Sequence, residues 1–273
     1  MRITEWINVV CFCFFVVVSW LRPLMRRARI AIAAIGATGI IMIMAATQFA
    51  DHFLSSSSVS TVRDWLPVAL MPMMYWQAGC FASNVNESFQ QTLQKLDDRF
   101  LGKWMQRLRA KRSSSWIFTG LEMAYISCYP MIPVSIGVLY LADMRHYVAE
   151  YWLVVLSATY PCYLFSAFVQ TLPPRLFAAD SVHPVPSKLR TFNLWVIGNV
   201  TTHFNTFPSG HVTATLGGSL VLLRHLPGVG FVFLLLSVGI ALGAVTGRYH
   251  YAADVVLAVA LVIVVCFLER FLT

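Results

Sequence analysis

The 273 residues are 58% hydrophobic and only 12% charged, with a mean hydropathy of +0.68, which excludes an ordinary water-soluble domain. The formal charge of +8 invites a nucleic-acid reading, but the basic residues crowd the short stretches between apolar runs, where they meet lipid headgroups. No nucleic acid is expected, and anionic lipid is the fitting partner.

A bilayer core of about 30 Å takes roughly 20 apolar residues as helix. Apolar runs with at most one charge lie near 7–21, 30–49, 65–82, 116–141, 151–172, 211–223, 228–247 and 251–268. They predict an all-α, polytopic transmembrane helical bundle of about eight spans, forming one membrane domain over 1–273. The first and sixth runs are short. A cleaved signal peptide is the rival reading of the first. However, Arg22, Arg26, Arg27 and Arg29 follow it without a small-residue cleavage site, so 1–50 is read as two N-terminal spans.

The polar stretch 83–115 carries Leu93, Leu96, Phe100, Leu101, Trp104, Met105 and Leu108 at helical spacing. Around them stand Lys95, Arg99, Lys103, Arg107, Arg109, Lys111 and Arg112. This pattern predicts an amphipathic helix lying on the headgroups, with a solvated connector as the alternative. In the fourth run Glu122, Tyr125 and Tyr129 share a helical face. An intramembrane carboxylate invites a functional reading, and pairing inside the bundle is the competing one. The stretch from Leu172 to Phe207 is rich in Pro, Arg, Asn and aromatic residues. Non-helical backbone near a membrane survives only where protein or a watery cavity satisfies its polar groups, so a functional cavity is expected there. His183 and His203 in that stretch stay in the background, as do the low-specificity sequons at Asn86 and Asn199. The six cysteines are scattered through apolar segments, with neither zinc-site clustering nor the loop placement of a disulfide framework.

Two short patterns carry chemistry. Phe207-Pro208-Ser209-Gly210-His211 sits where irregular chain becomes an apolar helix. Proline suits a helix start, Ser209 can cap free N–H groups, and Gly210 lets backbone approach a ligand. The helix start offers N–H donors and a positive dipole end to phosphate, with His211 beside it. In the second pattern, Gly247-Arg248-Tyr249-His250-Tyr251-Ala252-Ala253-Asp254, His250 and Asp254 stand at i and i+4. On one helical face the carboxylate fixes the imidazole tautomer and sharpens its other nitrogen as a nucleophile. The runs following these patterns are separated by two crossings, so both histidines face one side of the membrane. Pro173-Pro174-Arg175 falls on that side as well. Arg175, Arg190, Arg248 and Lys188 are candidates for charge on phosphate oxygens, together with Ser209 and Gly210.

These residues resemble the type 2 phosphatidic acid phosphatase superfamily, whose signatures are Lys-x6-Arg-Pro, Pro-Ser-Gly-His and Ser-Arg-x5-His-x3-Asp. The second signature is complete at Pro208, Ser209, Gly210 and His211, and the His-x3-Asp half of the third is present at His250 and Asp254. The resemblance, direct from Pro173 to Val256, implies a six-helix catalytic core within 116–273 and a phosphohistidine on His250. It also implies protonation of the leaving group by His211, with no metal and no cofactor. Gly243-Ala244 stand where the third signature has Ser-Arg, and Phe168 and Pro-Pro-Arg stand where the first has Lys and Arg-Pro. Those departures are similar to the branch that includes inositol phosphorylceramide synthases and sphingomyelin synthase-like proteins, with Arg175, Arg190 and Arg248 as substitute charges.

The resulting expectation is an integral multi-pass membrane enzyme: a lipid phosphate phosphohydrolase for phosphatidic acid-like or polyprenyl phosphate substrates. The alternatives are a head-group phosphotransferase and a non-enzymatic lipid-binding protein. The basic loops put the site on the cytoplasmic face by the positive-inside rule, whereas the resemblance implies the opposite face.

Overall fold

The computed structural model describes residues 1–49, 52–53, 55–82, 85–110, 115–177, 187–202, 204 and 207–271. Within them the regular elements are helices: α1 (Ile3–Leu21), α2 (Arg26–Met44), α3 (Ser56–Gly79), α4 (Glu87–Ala110), α5 (Ser115–Ile126) and α6 (Cys128–Leu141). There follow α7 (Val148–Ser166), α8 (Lys188–Val200), α9 (Gly210–His225), α10 (Pro227–Thr246) and α11 (Ala252–Glu269).

The eight apolar runs fall largely on helices, the fourth on two of them, but among the described residues fewer than the expected eight qualify as spans. By length and apolarity together, α1, α2, α10 and α11 can cross a bilayer, and α5 with α6 makes a fifth span bent by 59°. The inner helices α7 and α9 are shielded by protein instead: α7 buries Tyr151, Trp152, Val155 and Tyr160, and α9 lies against α6, α7, α10 and α11. The first three helices are not an appendage. α1 and α3 pack onto α7, α2 packs onto both of them, and the three share one apolar core with α7 through Phe12, Phe15, Ile32, Leu70 and Met74.

Ion pairs tie the helix ends together on one side of the bundle. Arg2 reaches Asp64 Oδ1 at 2.6 Å and Arg145 reaches its Oδ2 at 2.8 Å. Arg63 pairs with Glu5 at 2.7 Å, and Arg224 with Glu150 at 2.6 Å and Glu269 at 3.0 Å. The starts of α1, α3 and α7 and the ends of α6, α9 and α11 therefore gather at one end, as alternating crossings require. The beginnings of α9 and α11 lie at the other end.

The chain between α7 and α9 corrects one expectation. Part of the stretch read as irregular is α8, started by Ser187, whose Oγ accepts from Arg190 N at 3.1 Å. Its buried positions are Arg190, Asn193 and Ile197. Two of those three are polar, so hydrophobic periodicity gave no helical signal there. Lys111 and Arg112 of the amphipathic segment, and His183 and His203, lie outside the described residues.

Candidate active site

The chain enters α9 through a cis Phe207–Pro208 bond. Ser209 is the N-cap, its Oγ accepting from Val212 N at 3.5 Å, while its own N–H donates to the Asp254 carbonyl at 3.2 Å. That last bond fastens the start of α9 to the first turn of α11. Gly210 is required by packing, because a Cβ there would lie 2.8 Å from the Tyr163 ring.

At α11 a single buried carboxylate organises the turn. Asp254 Oδ2 accepts from Tyr251 N at 3.1 Å and from His250 Nδ1 at 3.0 Å. The Nδ1–H tautomer of His250 is thereby fixed and Nε2 is left with its lone pair. The rings of His211 and His250 meet edge to face with centroids 5.8 Å apart. The tyrosines of the α5–α6 face surround His211, Tyr125 at 5.8 Å and Tyr129 at 5.5 Å. His211 Nδ1 has no hydrogen-bond partner among the described residues.

The four basic candidates separate. Arg175 lines the same small cavity as His211 and His250. Its backbone N–H donates to the Arg248 carbonyl at 2.9 Å, its guanidinium lies 5.8 Å from the centre of the Tyr249 ring, and it forms no ion pair among the described residues. Burial is the main influence on its guanidinium and lowers its pKa, as expected for a cation without a counter-charge.

The other three correct the expectation of open phosphate-binding charge. Arg190 is buried and committed: Nη1 donates to Glu122 Oε1 at 2.7 Å, and Nη1 and Nη2 both reach the Gly247 carbonyl at 3.2 Å. Arg248 turns away from the cavity toward α4, with Nη1 3.9 Å from Asp97 Oδ2. Lys188 is exposed at the start of α8 and does not line the cavity. Physically, a buried guanidinium beside a buried carboxylate pairs with it, because leaving either alone costs several kcal/mol.

Glu122 is accordingly a pairing residue. Besides Arg190 it accepts from Tyr249 Oη at 2.5 Å and from Asn193 Nδ2 at 2.7 Å. Tyr249 stacks on Tyr125 with centroids 4.0 Å apart. The absence of Ser-Arg at 243–244 also has a physical reason. A Cβ on Gly243 would lie 2.5 Å from the Leu121 carbonyl, so α10 and α5 cross too closely for any side chain. Ala244 is fully buried, and its carbonyl accepts from Tyr249 N at 2.9 Å and His250 N at 3.0 Å.

Sequence reasoning missed Asp97. It reads as one more charge on an amphipathic helix, yet it is 4% exposed and accepts from Ala252 N at 2.9 Å.

Beyond His211 the site opens into an apolar cavity of about 300 Å³. Its walls are Met71, Pro72 and Trp76 of α3, Tyr129, Ile132 and Pro133 of α6, and Ala214 of α9. Prolines inside α3 and α6 each remove a helical hydrogen bond and displace the following turn, which keeps these helices apart where the cavity lies. Among the described residues no group of His, Cys, Asp and Glu is clustered to hold a metal ion.

A sequence model of the PAP2 superfamily matches residues 91–268. That stretch holds α4 through nearly all of α11, including both histidines and Arg175. The chain belongs to the PAP2 superfamily, and that membership supports phosphatase-type chemistry on a lipid phosphate. No curated protein and no solved structure matches it.

Proposed function

We propose that this protein hydrolyses a lipid phosphate monoester through a covalent intermediate on His250. His250 Nε2 attacks phosphorus while the bond from phosphorus to the lipid oxygen breaks, and His211 gives its proton to the departing alkoxide. A water molecule then returns a proton to His211 as its oxygen attacks the phosphohistidine, releasing inorganic phosphate and His250. Asp254 holds the reactive tautomer throughout. Arg175 and the positive dipole end of α9 stabilise the equatorial oxygens.

The observation that carries this reading is the meeting of the two imidazoles, 39 positions apart, at neighbouring helix starts with Arg175 on the same cavity. The apolar cavity beside His211 supports a substrate with a hydrocarbon tail, phosphatidic acid-like or polyprenyl, drawn from a membrane with anionic headgroups. A transfer reaction to a lipid alcohol, as in the inositol phosphorylceramide synthase-like branch, is favoured by one feature: Gly243-Ala244 in place of Ser-Arg. Release of inorganic phosphate from dioctanoyl phosphatidic acid in detergent tests the proposal. Wild type releases it and His250→Ala does not; equal release by both rules out His250 as nucleophile. Addition of a diester phospholipid donor together with a lipid alcohol separates the reactions, because a transferase moves the head-group phosphoryl unit to the alcohol, making a new phosphodiester and releasing diacylglycerol with little free phosphate.

A further inference from the structure

Helix α4 touches both loops of the phosphate site. Asn86 N–H donates to the Gln170 carbonyl at 2.8 Å, and Gln90 Oε1 accepts from Leu172 N at 2.9 Å, just ahead of Pro173 to Arg175. Two turns further on, Asp97 holds the other loop at both its ends. Oδ1 accepts from Ala252 N at 2.9 Å, and Oδ2 lies 3.9 Å from Arg248 Nη1. His250 is the middle residue of that five-residue loop. The loop needs holding, because Arg248 has φ of 60°, a left-handed conformation that costs a non-glycine residue about 1 kcal/mol. The Arg248 carbonyl in turn accepts from Arg175 N, so one carboxylate registers the nucleophile loop and the arginine of the cavity together.

Beside and beyond Asp97, α4 has a different character. Leu96, Phe100 and Trp104, spaced four residues apart, are 38%, 71% and 42% exposed, with Lys95, Arg99 and Lys103 exposed beside them. An apolar stripe flanked by cations suits the headgroup layer of an anionic bilayer.

We infer that Asp97 is a positioning residue: it transmits the seating of α4 on the membrane surface to the loop that carries His250. This rests on the proposed role of His250, and it adds a residue outside the motifs. Burial is the largest influence on the Asp97 carboxyl and raises it from the usual carboxylate range to about 6; Asp254 and Asp98 push the same way, while the Ala252 N–H and Arg248 oppose. Tyr251 is the remaining titratable group beside it. Asp97 is therefore charged above that value and neutral below it.

The test pairs two readouts in the full-length protein in mixed micelles with anionic lipid. Amide exchange of the peptide covering 247–253 is compared between wild type and Asp97→Ala, a measurement that needs no substrate. Turnover of dioctanoyl phosphatidic acid is compared between wild type and Asp97→Asn across pH. Faster exchange in Asp97→Ala is expected, with thermal melting as the control for global unfolding. For Asp97→Asn, kcat is expected to fall about tenfold to a hundredfold near neutral pH with KM little changed. Below about pH 5 that gap closes, because the wild-type carboxyl is then neutral too. Unchanged exchange, or a wild-type-to-variant ratio that is flat with pH, overturns the inference. If exchange responds while wild type releases no phosphate, the catalytic reading fails and the clamp stands.

Discussion

Glu122 binds side chains from α8 and from the loop before α11, and its two oxygens serve Arg190, Asn193 and Tyr249 at 2.5–2.7 Å. Each of these groups is buried, so no partner can be removed without stranding another. Replacing Glu122 by Gln is expected to cost about 3 to 5 kcal/mol of stability, because the Arg190 charge is then buried alone. The double variant Glu122→Leu with Arg190→Met is expected to regain only part of that loss, since it removes the lone buried charge but leaves Tyr249 Oη and Asn193 Nδ2 without their acceptor. Thermal melting in detergent reads both; a single variant as stable as wild type contradicts the network. At the same scale, the spacing pointed to the His250 and Asp254 contact but not to its geometry: His250 lies in the loop before α11, and Asp254 in the first turn reaches back to it. Asp97 was not, since its partner Ala252 is 155 positions away and nothing local distinguishes it from Asp98.

At the scale of elements, apolar runs disclosed the helices that face lipid, and a serine before an apolar stretch disclosed the start of α9. What stayed hidden was α8, which buries Arg190 and Asn193 rather than a hydrophobic stripe, and the bend between α5 and α6. The cavity belongs to this scale too, because it exists only where the proline-containing turns of α3 and α6 part beside α9. Ala214 is 4% exposed and lines it. Filling it with Ala214→Phe is expected to lower kcat/KM for dioleoyl phosphatidic acid more than tenfold, as loss of about two buried methylenes at ~0.8 kcal/mol each suffices. Dioctanoyl lipid is expected to be turned over nearly as before. Equal losses on both substrates would show that the tail does not use this cavity.

For the whole molecule, crossing parity was readable before any coordinates: both histidine patterns precede runs separated by two crossings. The bundle agrees, with Arg2, Arg63, Arg145 and Arg224 at the far end paired with Asp64, Glu5, Glu150 or Glu269. The histidine end carries Arg22, Arg26, Arg27 and the exposed cations of α4. By the positive-inside rule that surplus predicts a cytoplasmic histidine end, whereas the family resemblance implies the opposite face. Lys188→Cys, at an exposed position of that end, is expected to react with an impermeant maleimide only after the membrane is opened, relative to the parent protein. Labelling in intact cells reverses the orientation.

The convergence of His211 and His250 on one phosphoryl group is tested most directly by trapping the intermediate. Rapid acid-free quenching of wild type turning over phosphorus-labelled dioctanoyl phosphatidic acid should leave base-stable, acid-labile label on the peptide containing His250, and none in His250→Ala. Label on another residue, or turnover that never passes through a labelled protein, contradicts the account.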